Sequence, residues 1–245
     1  MTHSGNDFPD APSPAGRLLD ARPHLLDRQL IDDAGEPVGV VDDLDLDGIA
    51  VGDDIAPGTP APRVSGILTG QVLATRIFGG QPPRTRMQPL PWRLVAKLGT
   101  VAQLRPTEQP IDGLWLEHWL RDHLIGRIPG DAMQLSELLG LEVLDDTDAR
   151  LGTVVDVRLT VAGDLDDNPA APTVFGLVVS PRTRSSYLGY ERSDARRPAV
   201  LAALLRWRHR GTFLALWDDI GRVDTTSISL RAGFQRYSST LRDDD

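Results

Sequence analysis

Cysteine is absent from this chain of 245 residues. Disulfide bonds, thiolate nucleophiles, and zinc or iron–sulfur sites built from cysteine are therefore excluded. Residues 1–16 lack the apolar core of a signal peptide. No apolar run approaches the roughly 20 residues that a membrane helix needs. We therefore expect a soluble, cytoplasmic protein without a transmembrane anchor.

Lysine is nearly absent, because Lys97 is the only one and the other basic residues are arginines. This bias is typical of a high-GC bacterial genome. The net charge of −9 is unevenly spread. Residues 1–60 hold thirteen acidic side chains against three arginines, whereas residues 181–210 hold eight arginines against two acids. Uniform binding along a nucleic acid is disfavoured, but a local anionic partner stays open.

The usual catalytic signatures are also missing. The sequence has no G-x-S-x-G nucleophile elbow, no P-loop, no dinucleotide fingerprint and no HExxH pattern. Among the five histidines, His118 with Asp122 has the i, i+4 spacing of a metal pair, but no third ligand is in register. We expect no catalytic residues, no metal and no cofactor, and hence a protein that is not an enzyme.

The sequence does contain an internal duplication. Residues 26–44 match 139–157 at an offset of 113, residues 61–66 match 171–176 at 110, and residues 92–95 match 217–220 at 125. A shared offset over many positions is typical of a repeat. The last change of offset places fifteen extra residues between 180 and 212 of the second copy, where the arginines are concentrated.

Inside each copy the pattern is that of short β-strands. Residues 30–41 read as a strand, an Asp/Gly turn and a second strand. Residues 155–161 alternate polar and apolar side chains, which predicts that Asp156 and Arg158 face away from the apolar face. Two stretches read as helices instead: residues 112–125, and the insert up to Gly211.

The segments LLDRQLIDDAGEPVGVVDDLDLD and LLGLEVLDDTDARLGTVVDVRLT resemble the opening of the PRC-barrel domain. Residues 91–95 and 216–220 resemble its closing strand. The resemblance implies a compact barrel of five or six strands that docks onto other macromolecules and is not an enzyme. This domain is known from the photosynthetic reaction-centre H subunit and from a ribosome-maturation factor. The resemblance does not imply the specific function of either protein for this chain.

We therefore expect a mainly β protein with two tandem PRC-type barrels, joined by an amphipathic helix and with a second helix inserted in the C-terminal barrel. The predicted domains are a disordered tail (1–22), a first barrel (23–106), a linker helix (107–134), a second barrel (135–234) and a C-terminal tail (235–245). The sequence leaves homo-oligomerisation open.

One cluster of aspartates offers an alternative interpretation, a calcium-binding site. Asp43, Asp45, Asp47 and Asp54 satisfy much of an EF-hand calcium loop. No helical pattern precedes them, and the second copy loses two of the carboxylates. We favour a solvated strand face over a calcium site at these positions.

Partner-binding candidates lie outside the matched blocks. They are the two tryptophans of the 112–125 helix and five arginines of the insert: Trp115, Trp119, Arg182, Arg184, Arg206, Arg208 and Arg210. The leading hypothesis is a scaffold that binds a protein partner. The alternative is an RNA- or ribosome-associated factor that uses the Arg-rich insert, 181–210.

Six residues that recur in the duplication are predicted to be structural: Gly39, Gly152, Gly66, Gly176, Trp92 and Trp217. Gly39 and Gly152 each precede an apolar strand. We expect them either to adopt positive φ at a bulge or to permit the close approach of a neighbouring strand.

Overall fold

The computed structural model of the chain describes residues 8–70, 88–106, 133–181 and 211–241. The first copy consists of β1 (Arg17–Asp20), α1 (Ala21–His24), β2 (Gln29–Ile31), β3 (Pro37–Val40), β4 (Asp43–Asp47), β5 (Arg63–Thr69), β6 (Gln88–Pro91), β7 (Val95–Leu98) and β8 (Ala102–Leu104). A 3-10 turn, Trp92–Leu94, joins β6 to β7.

The second copy repeats this order, except that one long strand, β11, takes the place of both β3 and β4. It consists of β9 (Met133–Gln134), α2 (Leu135–Leu138), β10 (Glu142–Leu144), β11 (Arg150–Val161), β12 (Thr173–Ser180), β13 (Phe213–Leu216), β14 (Ile220–Val223) and β15 (Ser227–Leu230), and β16 (Tyr237–Ser238) follows it. The 3-10 turn Trp217–Asp219 joins β13 to β14. The two segments predicted to be closing strands are therefore strand–turn–strand units.

The strands form two curled sheets. One has twelve strands, with β14-β15-β10-β11-β12-β5-β4-β9 as its main path, and the other has four in the order β3-β2-β8-β7. The curled sheets form a half-barrel, so the prediction of a mainly β protein is confirmed. None of the described helices is long and apolar enough to span a membrane.

Matching turns show why the two copies fold alike locally. Asp32 and Asp145 each follow the second strand of their copy, and each side chain accepts the N–H of the residue four positions on, at 2.8 and 2.9 Å. Gly35 and Asp148 occupy the same turn position and have φ of 86° and 61°. Glycine adopts this conformation freely, and aspartate is among the residues that tolerate it.

The centre of the large sheet joins the two copies symmetrically. Arg63 of β5 lies opposite Thr173 of β12, and these residues are equivalent in the duplication. Two reciprocal bonds flank the pair, each 2.8 Å long, from Val64 N–H to Pro172 O and from Val174 N–H to Pro62 O. The copies are therefore related by a local twofold pseudosymmetry at this contact.

The opening strands are exchanged between the copies. β1 pairs with β11 of the second copy and places Asp20 opposite Arg158. β9 pairs with β4 of the first copy and places Gln134 opposite Asp45. Each copy thus supplies its first strand to a strand of the other copy.

The long loops are exchanged as well. Residues 162–172 follow β11 but bond to β7 of the first copy, where the N–H of Leu98 donates to the carbonyl of Leu165 at 2.7 Å. Residues 48–62 follow β4 but bond to β14 of the second copy, where the N–H of Ile55 donates to the carbonyl of Gly221 at 2.8 Å. The buried apolar residues of both copies accordingly form one continuous cluster.

The described parts of the two predicted tails, residues 8–22 and 235–241, include paired strands and are not disordered throughout. Within residues 1–22, β1 is paired and Leu19 is buried in the core cluster. Within residues 235–245, β16 pairs with β13, and the N–H of Ser238 donates to the carbonyl of Pro9 at 2.7 Å. The last two residues of the predicted linker, Met133 and Gln134, are β9 and not helix. Of that helix, residues 107–132 lie outside the described residues, as does the inserted helix within 182–210.

Candidate functional site

The predicted partner-binding residues lie outside the part of the chain that the structure describes. Trp115 and Trp119 fall within 107–132, and the five arginines fall within 182–210. The structure does describe both ends of the Arg-rich segment, at Pro181 and Gly211. The candidate site is therefore built from the framework that holds these two ends.

This framework is tightly packed. The carbonyl of Ser180 lies against Gly152 of β11, so closely that a Cβ on Gly152 would collide with it. Gly211 has φ of 80°, and a Cβ there would lie 3.2 Å from Cγ of Pro181. Thr212 is buried, and its carbonyl accepts the Ser239 hydroxyl at 3.3 Å. We call these residues (Gly152, Ser180, Pro181, Gly211, Thr212 and Ser239) the connection face.

Two equivalent aspartates, Asp43 (buried) and Asp156 (partly buried), join the copies. Asp43 accepts the N–H of Leu44 at 2.8 Å and the N–H of Ser136 at 3.1 Å. Asp156 accepts the N–H of Val157 at 2.8 Å and the N–H of Arg22 at 3.1 Å. Each carboxylate thus binds the first turn of the short helix that the other copy provides, where helix N–H groups lack internal partners.

Burial perturbs both carboxyl groups. Desolvation raises the pKa of Asp43 above its ordinary value and raises the pKa of Asp156 to about 6. The backbone N–H donors oppose the shift in both cases, and nearby Asp20 adds to it at Asp156. These bonds recur in both copies, which indicates a structural role for the two groups.

An ion pair between buried Arg158 and partly buried Asp20 ties both chain ends to the second copy. Arg158 is 2% exposed, and its Nε and Nη2 donate to the two oxygens of Asp20 at 2.7 and 3.1 Å. Nη2 also donates to the carbonyl of Ser239 at 2.7 Å. A paired and hydrogen-bonded charge can be buried in this way, because its desolvation is compensated. The alternation predicted that Arg158 faces away from the apolar face of its strand; the structure shows that this side of the strand is covered as well, so that Arg158 is buried.

The four aspartates of the calcium alternative do not form a binding loop. Asp43, Asp45 and Asp47 belong to β4, and the first two are buried, so the expected solvated face is wrong. Asp54 lies elsewhere and accepts Nη1 of Arg222 at 2.7 Å. Within the described residues, no three His, Asp or Glu side chains are grouped to hold a metal ion.

Close approach explains the recurring glycines. Neither Gly39 nor Gly152 has positive φ, and a Cβ on Gly39 would lie 2.6 Å from Oγ1 of Thr69. A Cβ on Gly66 would lie 3.0 Å from the carbonyl oxygen of Leu90, and one on Gly176 would collide with the carbonyl of Ala215. Close strand packing is thus the alternative that the structure shows.

The recurring tryptophans are buried but not equivalent in their bonding. The indole N–H of Trp92 donates to the carbonyl of Pro169 in the exchanged loop at 3.0 Å. The indole N–H of Trp217 is buried and has no acceptor among the described residues. Both rings lie in the core, so neither is offered to a partner.

Sequence reasoning missed Asp20, Asp43, Asp156, Arg158 and Ser239 as residues that join the copies. One signal was present, because Asp43 and Asp156 are identical at the 113-residue offset. A charged residue kept inside an apolar strand of both copies could have indicated a shared buried role.

Comparison with known proteins does not extend this description. No protein-family model matches the chain, and no curated protein matches it.

Proposed function

We propose that the chain is a non-enzymatic scaffold, built from two PRC-type β repeats, that binds a protein partner through the connection face and the segment it supports. The observation that carries the proposal is a difference between two equivalent hairpins. Thr69 lies opposite Gln88 in one hairpin, and Val179 lies opposite Phe213 in the other. The second hairpin therefore carries a connection fifteen residues longer on an otherwise equivalent base.

The base of this connection is suited to presenting a binding segment. It is held from β11 by Gly152 and from the chain end by Ser239. Binding residues commonly lie on connections that a rigid framework positions. The connection is also the most basic part of an acidic chain, so an acidic protein surface is the partner it complements best.

The raised pKa values of two carboxyl groups are also consistent with a non-enzymatic scaffold. Strongly shifted pKa values often mark an active site. Here the shifted groups, Asp43 and Asp156, accept backbone N–H groups from the opposite copy. Their burial is accounted for by the joining of the copies, without a catalytic role.

Affinity purification of the tagged full-length protein from its native host tests the proposal. We compare the wild type with a triple variant, Arg206→Gln, Arg208→Gln and Arg210→Gln. The matched control replaces three exposed framework arginines, Arg17, Arg63 and Arg105, by glutamine and changes the net charge equally.

The expected result is one protein partner that persists at moderate salt, is lost in the triple variant and is retained in the control. Nuclease-sensitive RNA that dissociates as salt rises would instead support the RNA-associated factor and contradict the proposal. Equal partner loss in both variants would show a nonspecific charge effect and would also contradict it.

A further inference from the structure

The duplication creates two equivalent sheet edges that differ in chemistry. β6 and β13 occupy the same place in their copies and pair with β5 and β12 respectively. β6 contains Pro89 and Pro91, which have no N–H to donate. Prolines on an edge strand discourage the addition of another strand. β13 has the sequence FLAL and keeps every N–H group.

The edge of β13 that faces away from β12 is covered by another strand of the same chain. In the C-terminal segment, residues 231–241, β16 pairs antiparallel with β13, with Ser238 opposite Phe213 and Tyr237 opposite Leu214. Among the described residues, β6 pairs only with β5. The covering strand shows that the edge of β13 accepts an extended chain.

Side chains define what kind of strand fits this edge. The guanidinium of Arg236 lies over the ring of Phe213 at 5.0 Å and over that of Phe234 at 5.7 Å. Ser238 is buried, so a small residue is required at that position. The carbonyl of the following residue, Ser239, accepts from Arg158. An occupant therefore needs an arginine, a small residue two positions later, and a free main-chain carbonyl beyond it.

The covering strand is short compared with the strands beneath it. β16 has two residues, whereas β12 has eight and β11 has twelve. Segments with few paired backbone groups open locally at lower free energy than core strands. The hydroxyl of Ser239 also donates to Thr212, so release of the segment would change the connection face directly.

We propose that the edge of β13 is a strand-binding site, which the C-terminal segment occupies in the free protein and from which an extended, arginine-containing segment of a partner displaces it. Main-chain bonds would supply affinity, and the arginine over Phe213 would supply specificity. This inference rests on the proposed function in taking a protein partner as the occupant. Its test uses a defined peptide, so the two can fail separately.

The probe is a fluorescent synthetic peptide with the sequence of residues 231–241, added to the full-length protein. Ser238→Pro in the protein removes the N–H that binds Pro9 and weakens its own segment. Ser238→Ala is the matched control, because it keeps this N–H and a small side chain at the same position. We expect the peptide to bind the Ser238→Pro protein at least about tenfold more tightly than the wild type or the control.

A cooperatively folded Ser238→Pro protein that binds the peptide no better than the wild type would overturn the proposal. If this variant does not fold, hydrogen exchange of the wild type shows whether the C-terminal segment detaches from β13. We expect amides of residues 237–240 to exchange at least about 100-fold faster than those of β12. Exchange at the rate of β12 would show that the segment does not detach. If the wild type forms dimers and Ser238→Pro abolishes them, the edge of β13 is occupied by a second copy of the chain. That result would also overturn the proposal.

Discussion

At the scale of single residues, Gly152 and Gly39 occupy equivalent positions but face different atoms. A Cβ on Gly152 would collide with the backbone carbonyl of Ser180, whereas one on Gly39 would meet the rotatable hydroxyl of Thr69. We predict that Gly152→Val lowers the free energy of unfolding by about 1–3 kcal/mol, and by more than Gly39→Val does. Urea denaturation of both variants measures the difference. Equal losses would contradict the packing argument.

The titration of Asp156 gives a second prediction at this scale. Its pKa is raised to about 6, above the value near 3.9 expected in an unfolded chain. The folded state binds more protons between these values. The contribution of Asp156 to the free energy of unfolding therefore falls as pH rises through this window, and the loss is complete above pH about 6.

Asp156→Asn removes the charge while its side-chain oxygen can still accept from Val157 and Arg22. We predict that this variant unfolds with a free energy roughly 1–2 kcal/mol higher than the wild type at about pH 7.5, and that the gain disappears near about pH 4. Denaturation curves across pH measure it. Less stability than the wild type at about pH 7.5 would show that the ionised carboxylate is required.

Asp145→Asn is the control with the opposite sign. Asp145 is exposed, and the hydroxyl and N–H of Thr147, with the N–H of Ala149, lower its pKa. Its stabilising contribution is therefore present at neutral pH and is lost as pH falls through the lowered value. The loss of stability caused by Asp145→Asn should shrink towards acidic pH.

The sequence allowed prediction of the glycines but not of the aspartates. Gly39 and Gly152 stand at matching places before apolar strands, and only a few backbone situations favour glycine there. Asp43 and Asp156 alternate with apolar residues, which is the pattern of a strand with one solvated face. Both faces of these strands are covered because the other copy packs on them, and alternation within one strand contains no information about that contact.

At the scale of secondary-structure elements, the pairing of β1 with β11 depends on Asp20 and Arg158. Removing one member of a buried pair leaves an unpaired charge, whereas removing both does not. We predict that Asp20→Leu or Arg158→Met alone lowers the free energy of unfolding by about 3–5 kcal/mol, and that the double variant loses less than the sum. A double-mutant cycle by urea denaturation measures the coupling. Additive losses would show that the pair is not coupled.

The exchanged strands β1 and β9 could not be recognised from sequence. They have four and two residues, too few to show a periodic pattern. They also lie outside the three matched blocks, because the residues that pair with them differ between the copies: Asp20 faces Arg158, and Gln134 faces Asp45. The two copies are similar in sequence where their packing is the same. Their sequences differ where equivalent contacts are made by different residue pairs, so the duplication could not be detected there.

At the scale of the whole molecule, strands and loops pass reciprocally between the copies. β1, β9 and the loops 48–62 and 162–172 each complete the copy to which they do not belong. A copy that unfolds would remove strand partners from the other. We therefore expect both copies to unfold as one cooperative unit, unlike two barrels joined by a linker.

Hydrogen exchange with mass spectrometry, comparing the wild type with Gly152→Val, tests this claim most directly. The substitution lies in β11 of the second copy. We expect amides of β4 and β5 to lose protection by the same factor as those of β11 and β12, because both exchange through global unfolding. Loss of protection confined to β11 and β12, with β4 and β5 unchanged, would show that the copies fold independently and would contradict the account.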